Sequence, residues 1–363
     1  MSRMNMAYNK WILRLFAVGI ILNCVVLYYY RDHIIYGDET KNDFPHLSCA
    51  TVRQTYSVDI PASVNFTTDM TSFTKNVSEL LSCPYKSDIT QKDLNRASLH
   101  SCCNATGHLY LTKQNTAVHQ IIPYEYEVYP SYKMNEALYK LLPEAFPWSE
   151  HHLDRCAVVG SGGILKNSNC GREIDSADYV IRCNMAPINN SDVGLKTDLI
   201  TINPSQILRG YRNAQKKPGP LKRRVSVYGN ASLLMPAFAT PINTRASITA
   251  LKALWPPNPQ LQVVFFSSSY LKALNSFWKG RGLKEKRLST GFMLINVALE
   301  LCDHVDVYGF WPFDINLEKK KILHHYYDNN IPKVSLHYMP EEFLRLLQLH
   351  SQGALTLHLQ PCS

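Results

Sequence analysis

No Cys-x-x-Cys pair occurs in this chain of 363 residues, so the commonest zinc-ligand spacing is missing and its ten cysteines need another explanation. Zinc-finger spacing and RNA-recognition signatures are missing too. A formal charge of +9 carried by scattered basic residues therefore speaks for anionic partners in general and not for nucleic acid. Long apolar runs are scarce. Leu15 to Tyr30 carries no charge, but at 1.5 Å per residue it spans only about 24 Å, short for a thick membrane and sufficient for a thinner one. No small-x-small cleavage site follows it before Arg31, which argues for an uncleaved anchor over a removed signal peptide. Arg3, Lys10 and Arg14 lie on its N-terminal side. The positive-inside rule then predicts a cytosolic tail at 1–10, a transmembrane signal anchor at 11–30 and a lumenal remainder.

Cysteine and asparagine usage fits that placement. Cys24 falls in the anchor and nine cysteines follow it, an odd number, so at least one thiol is free or bridged to another chain. A disulfide framework in an oxidising lumen is the expectation for the rest. Glycosylation sequons stand at Asn65, Asn76, Asn104, Asn189 and Asn230.

Residues 31–99 are polar and Ser/Thr-rich, with one short helical pattern around Val77 to Cys83, and read as a stem. From residue 100 strands and helices alternate. Strands are expected at 156–160, 178–182, 198–202, 262–266 and 305–308, with a helix starting near Cys170. Such alternation implies an α/β domain, a mostly parallel sheet flanked by helices. Thr290 to Leu301 is apolar nearly all round and therefore a buried helix, and Ser289 and Thr290 either cap it or offer an anion site. The segment Ala157-Val158-Val159 running into Gly160-Ser161-Gly162-Gly163 has the grammar of a dinucleotide turn. That fingerprint is incomplete: Leu165 stands where a third glycine is due, and the second strand ends in Arg182-Cys183-Asn184 without a carboxylate to hold a ribose.

Three segments together carry a resemblance. CAVVGSGGILKNSNCG opens one that runs from Cys156 to about Asn203, RLSTGFMLINVALELCDHVDVYGFWPF covers 287–313, and HHYYDN at 324–329 is followed by HYMPEEF at 337–343. In order and spacing the chain resembles the animal sialyltransferases, and within them the α-2,8-sialyltransferases, over roughly residues 100 to 362. The resemblance implies one catalytic domain, 100–363, of Rossmann-like character, the sialyltransferase variant of the GT-A fold. It implies CMP-sialic acid as donor, inversion at the anomeric centre, no metal and no other cofactor. The sequence is consistent with metal independence, since it holds no Asp-x-Asp.

By position the resemblance puts Asn184 and Asn203 on the CMP portion, Ser161, Ser289, Thr290 and Gly291 around the donor, Trp311 on the nucleotide and His325 near the phosphate. His324 and Glu342 are supporting residues. Trp311 also reads as a core aromatic, Tyr326 and Tyr327 as packing residues, and Glu342 as a complement to a helix dipole. Ser161 departs from the asparagine usual in α-2,8 members. The general base is expected at His337, just before an amphipathic helix that starts at Pro340 and ends near Gly353, whose positive end helps keep the imidazole neutral. Bridges Cys156–Cys302 and Cys170–Cys362 are implied, with Cys183 a buried thiol. The implied acceptor is a terminal sialic acid on a glycolipid or glycoprotein, taking the new residue at its 8-hydroxyl, and the implied setting is the Golgi membrane. The basic segment Lys216 to Arg224 is either an acceptor contact or a solvated face. A homodimer is compatible with the sequence. Another linkage, or a weakly active lumenal scaffold or lectin on the same fold, are the rival readings.

Overall fold

Cys156, Ala157, Val158 and Val159 are all buried, as expected for a strand covered on both faces, and each pairs in parallel with a neighbour on either side. In the computed structural model, which describes residues 48–57, 70–126, 128–148, 153–255, 262–284, 287–330 and 339–362, this strand lies inside the sheet. The strands are β1 Leu153–Val159, β2 Tyr179–Arg182, β3 Leu199–Thr201, β4 Ser232–Met235, β5 Val263–Phe265, β6 Cys302–Tyr308 and β7 Thr356–His358. Their spatial order is β5-β4-β3-β2-β1-β6-β7, every pair parallel. β4 and β7 escape sequence reading because three or four residues with few β-branched side chains give too little periodicity.

Side chains alternate between two covered faces. Val158, Ile181, Leu234, Val264 and Val307 point into one cluster with the helix Thr290–Leu301, while Ile200, Leu233, Met235 and Phe265 join a second on the other face. The helices used below are α1 Cys49–Ser57, α2 Met70–Ser82, α3 Ile89–Cys102, α4 Pro204–Gly210, α5 Gly219–Ser226, α6 Pro241–Leu254, α7 Ser268–Gly280, α8 Thr290–Leu301 and α9 Met339–Ser351. Every residue of α8 from Phe292 to Leu301 is buried, which explains its all-round apolar sequence. At about 1.5–3 kcal/mol per large apolar side chain, α8 is a main contributor to the core.

The stem reading of 31–99 needs correcting for its described part. Val52, Tyr56, Val77, Leu80 and Leu99, from α1, α2 and α3, are buried in the same cluster as the central strands, and the compact unit begins at Cys49. Short amphipathic stretches hidden among Ser and Thr supply that packing. The cytosolic tail, the anchor, Asn65 and His337 lie outside the described residues. Among the described residues no helix is long and apolar enough to cross a membrane.

Four bridges tie the chain. Cys156–Cys302 joins β1 to the start of β6, Cys170–Cys362 joins the segment before β2 to the C-terminus, Cys49–Cys83 closes α1 onto the end of α2, and Cys102 pairs with its neighbour Cys103. Cys183 is free and buried, and burial pushes its thiol up to about 12. Of the sequon asparagines, Asn76 and Asn230 are exposed. Asn104 and Asn189 are half-buried, and their side-chain oxygens accept hydrogen bonds from Gly107 and Asp192.

Candidate active site at the topological switch point

Strand order reverses between β1 and β6, the place where open parallel sheets hold ligands beyond their carboxyl ends. A glycine follows each strand there. Gly160 N–H donates to the Tyr308 carbonyl at 2.8 Å and Gly162 N–H to the Gly309 carbonyl at 2.9 Å. A Cβ on Gly162 would stand 2.5 Å from that same oxygen, so only glycine lets the two backbones meet. Gly163 N–H donates to the His324 carbonyl at 3.1 Å, and Tyr326 N–H returns a bond to the Ser161 carbonyl at 3.2 Å. The N–H groups of Gly160, Gly162 and Gly163 are thus taken by protein. The turn forms a wall of the cleft, and those three donors are not available to a phosphate.

Across from it lies the start of α8. The Ser289 hydroxyl accepts from Phe292 N–H at 3.1 Å as a helix cap, and donates in turn to a carboxylate oxygen of Glu342. The other oxygen of Glu342 accepts Ser289 N–H at 2.6 Å. Glu342 therefore does more than complement the dipole of α9: it pins the start of α8 to the start of α9. The N–H groups of Thr290 and Gly291 have no partner among the described residues, and both residues line the cleft. The cap and the unpartnered donors thus fall on different residues.

The histidine pair comes from the loop after β6. His325 Nδ1 lies 2.6 Å from Asp328 Oδ2, and its ring stacks on Tyr327 with centroids 5.0 Å apart. Although partial burial works the other way, the hydrogen bond from His325 and those from Asn330 hold the Asp328 carboxyl below its usual range. That bond fixes the imidazole and leaves Nε2 as the open ring nitrogen. Burial, then the neighbouring His325, lower the pKa of His324, and its backbone N–H is tied to Asn330.

Asn184 and Asn203 sit at the ends of β2 and β3. Asn184 has φ 54°, and its side-chain oxygen accepts Asn203 N–H at 3.0 Å, leaving its amide N–H groups as donors. The four carbonyls of its loop are all held by side chains from elsewhere. Gln206 donates to Asn184 at 2.7 Å, Arg224 to Met185, the Tyr228 hydroxyl to Ala186 at 2.8 Å and the Tyr326 hydroxyl to Pro187. This left-handed backbone stays fixed because four side chains converge on it.

Trp311 is a core aromatic with one side at the cleft. It is buried, packs edge-on against Phe313 and Phe343, and its indole N–H donates to the Ile315 carbonyl at 2.6 Å. Only its ring is left for a ligand. Ser161, Asn184, Asn203, Ser289, Thr290, Gly291, Trp311, His324, His325 and Glu342 all line one cleft with a cavity volume of about 220 Å³. The sequence reading missed its apolar floor, where Phe310, Phe343 and Leu346 contribute, and the role of Asp328 as partner of His325. Phe310 and Asp328 stand inside the quoted motifs, which is the signal that could have found them.

Comparison with known proteins agrees with this geometry. Residues 110–354 match the model of glycosyltransferase family 29 (sialyltransferase). Mouse alpha-2,8-sialyltransferase 8F is 40% identical over 293 residues, 80% of this chain and 74% of the relative. Human alpha-2,8-sialyltransferase 8E is 40% identical over 284 residues, 77% and 76% of the two chains. The bovine alpha-N-acetylneuraminide alpha-2,8-sialyltransferase is 40% identical over 270 residues, 74% of this chain and 76% of that one. A mammalian sialyltransferase crystallised with Gal-beta-1-3GalNAc-ortho-nitrophenol shares the fold, with a TM-score of 0.50 at 19% identity over 73% of this chain and 94% of that one. The chain belongs to the sialyltransferases of glycosyltransferase family 29.

Proposed function

We propose that this chain transfers sialic acid from CMP-sialic acid to the 8-hydroxyl of a terminal sialic acid on a glycolipid or glycoprotein, with inversion and without a metal. The observation that carries the reading is the convergence of the donor-site residues on a single cleft at the switch point, in a chain 40% identical to enzymes named for α-2,8 transfer. Asn184 and Asn203 hold the cytidine portion, and the ring of Trp311 stacks beside it. The free N–H groups of Thr290 and Gly291, with the positive end of α8, meet the phosphate that departs as CMP. His325, fixed by Asp328, stands ready to share that negative charge. Among the described residues Glu342 is the one carboxylate that lines the cleft, and it is engaged by Ser289. That donor set offers a divalent ion no pair of carboxylates and favours the metal-free reading.

The attacking hydroxyl must lose a proton, and His337 is the base in this reading. It lies outside the described residues, and its support is its place two residues before Met339, which lines the cleft at the start of α9. The sequence placement as a single-pass Golgi protein with a lumenal catalytic domain belongs to the same proposal. The test is a transfer assay on sialylated and galactose-terminated acceptors followed by linkage analysis of the product. An α-2,8 product is expected, and any other linkage overturns the acceptor assignment. His337→Ala should lose about a hundredfold or more in turnover while still binding CMP-sialic acid. Near-normal turnover in the folded variant removes the base from that position.

A further inference from the structure

Between Asp198 and Glu285 the sequence holds no aspartate or glutamate in 86 residues, while thirteen are lysine or arginine. This stretch alone carries +13 against a whole-chain charge of +9, so the other residues together carry −4. Seven of the thirteen fall between Arg209 and Arg224. On α5, Leu221 and Val225 turn inward and are buried, which puts Lys222 and Arg223 in solvent and leaves Arg224 half-buried at the edge. Arg224 donates to the carbonyl of Met185, the residue after cleft-lining Asn184, and its guanidinium carbon stands 5.4 Å from the centre of the Tyr228 ring. No carboxylate pairs with it among the described residues. A guanidinium has five N–H donors in a planar fork, so a single backbone bond leaves room for a carboxylate.

We propose that Arg224 binds the carboxylate of the acceptor's terminal sialic acid, and that the ridge leading to it from Lys216 through Arg223 receives the carboxylates of acceptors bearing more than one. The inference rests on the acceptor reading above and adds the residues that would enforce it. A recessed guanidinium beside the cleft loop suits a sugar acid that must enter the cleft. A flat anionic lipid surface would reach Lys222 and Arg223 but not Arg224.

Initial rates with Arg224→Gln, Arg224→Lys and the double variant Lys222→Gln/Arg223→Gln test it. The acceptors are a monosialylated oligosaccharide, its disialylated homologue, and the monosialylated compound with its carboxyl converted to an amide. Arg224→Gln should raise the KM of the acid acceptor about tenfold and leave that of the amide within twofold. Arg224→Lys should recover part of the loss. The double variant should raise the KM of the disialylated acceptor about threefold and spare the monosialylated one, which keeps the test decisive if Arg224→Gln fails to fold. Equal losses on acid and amide would make Arg224 only a prop for the Met185 loop, as would a rise in donor KM with the acid acceptor's KM unmoved. Either result overturns the proposal, as does double-variant loss of binding to glycolipid-free vesicles of anionic phospholipid with the disialylated KM unmoved. A wild-type enzyme that ignores sialylated acceptors and uses galactose-terminated ones overturns the acceptor reading itself, whatever Arg224 does.

Discussion

The two halves of the sheet are held together by different means. The half built on β1, β2, β6 and β7 carries the bridges Cys156–Cys302 and Cys170–Cys362, and a charged knot in which Asp306 takes Arg155 at 2.6 Å and His358 at 2.9 Å. The half built on β3, β4 and β5 has no cysteine from residue 184 to 301 and no acid from 199 to 284. It coheres by apolar burial, with Leu233, Met235, Phe265, Ala250 and Leu254 packed together, and by helix caps such as Thr240 on α6 and Ser267 on α7. One half is cross-linked and charge-balanced, the other repels itself and attracts anions. The cleft opens at the β1/β6 switch point of the cross-linked half, and Asn203 is the lining residue that comes from the acid-free stretch.

The largest expected effect is on the cross-linked half. Replacing Cys170 and Cys362 together by serine opens a loop closed over 192 residues and should cost about 2–5 kcal/mol, read as a fall in melting temperature under oxidising conditions. Lys252→Gln in the basic half should stay within about 0.5 kcal/mol. Equal shifts would erase the distinction between the halves.

Acid provides a second test. His350 is buried on α9 and accepts Leu357 N–H of β7 at 3.2 Å, and burial brings its pKa down to about 4. The fold therefore holds the neutral ring, whereas the unfolded chain protonates near 6.5. This contribution is complete above about pH 6.5 and declines as pH falls from there toward 4, amounting to roughly 3 kcal/mol. The carboxyl of Asp306, held low by His358 and Arg155 although burial opposes it, adds a loss only at more acidic pH. Denaturant melts at pH 7 and pH 4.5 should show the drop, and His350→Gln should flatten it. A loss that stays as steep in the variant would point to another group.

The smallest effect belongs to the basic half. Added sulfate should protect the amides of α4 and α5 from hydrogen exchange more than those of β6 and β7, by no more than about 1 kcal/mol. Uniform protection would mean that the acid-free stretch repels itself too weakly to matter.

What the sequence could say follows the range of the signal. α8 is legible because an apolar surface on all sides is written in consecutive residues, and β1 because Ala157, Val158 and Val159 run unbroken into glycine. α1 and α2 are not, since the contacts that make Val52 and Val77 core residues come from distant elements. The site divides in the same way. Its residues are legible in their motifs, but the bond from Ser289 to Glu342 crosses 53 positions and that from Arg224 to Met185 crosses 39. Nothing local encodes either of them. His325 and Asp328, only three apart, are within reach of sequence reasoning.

The pairing of β1 with β6 has a consequence in time. Cys156 and Cys302 are 146 residues apart, and at about 5–20 residues per second a ribosome needs roughly 7 to 30 s to make the chain between them. During that interval β1 has neither its β6 neighbour nor its disulfide. Cys183, destined to stay unpaired, emerges early enough to compete for the waiting thiol of Cys156. Contacts so distant in sequence form slowly, so the nascent enzyme must keep its central cysteine reduced, or isomerise a wrong bridge, before the cleft can exist.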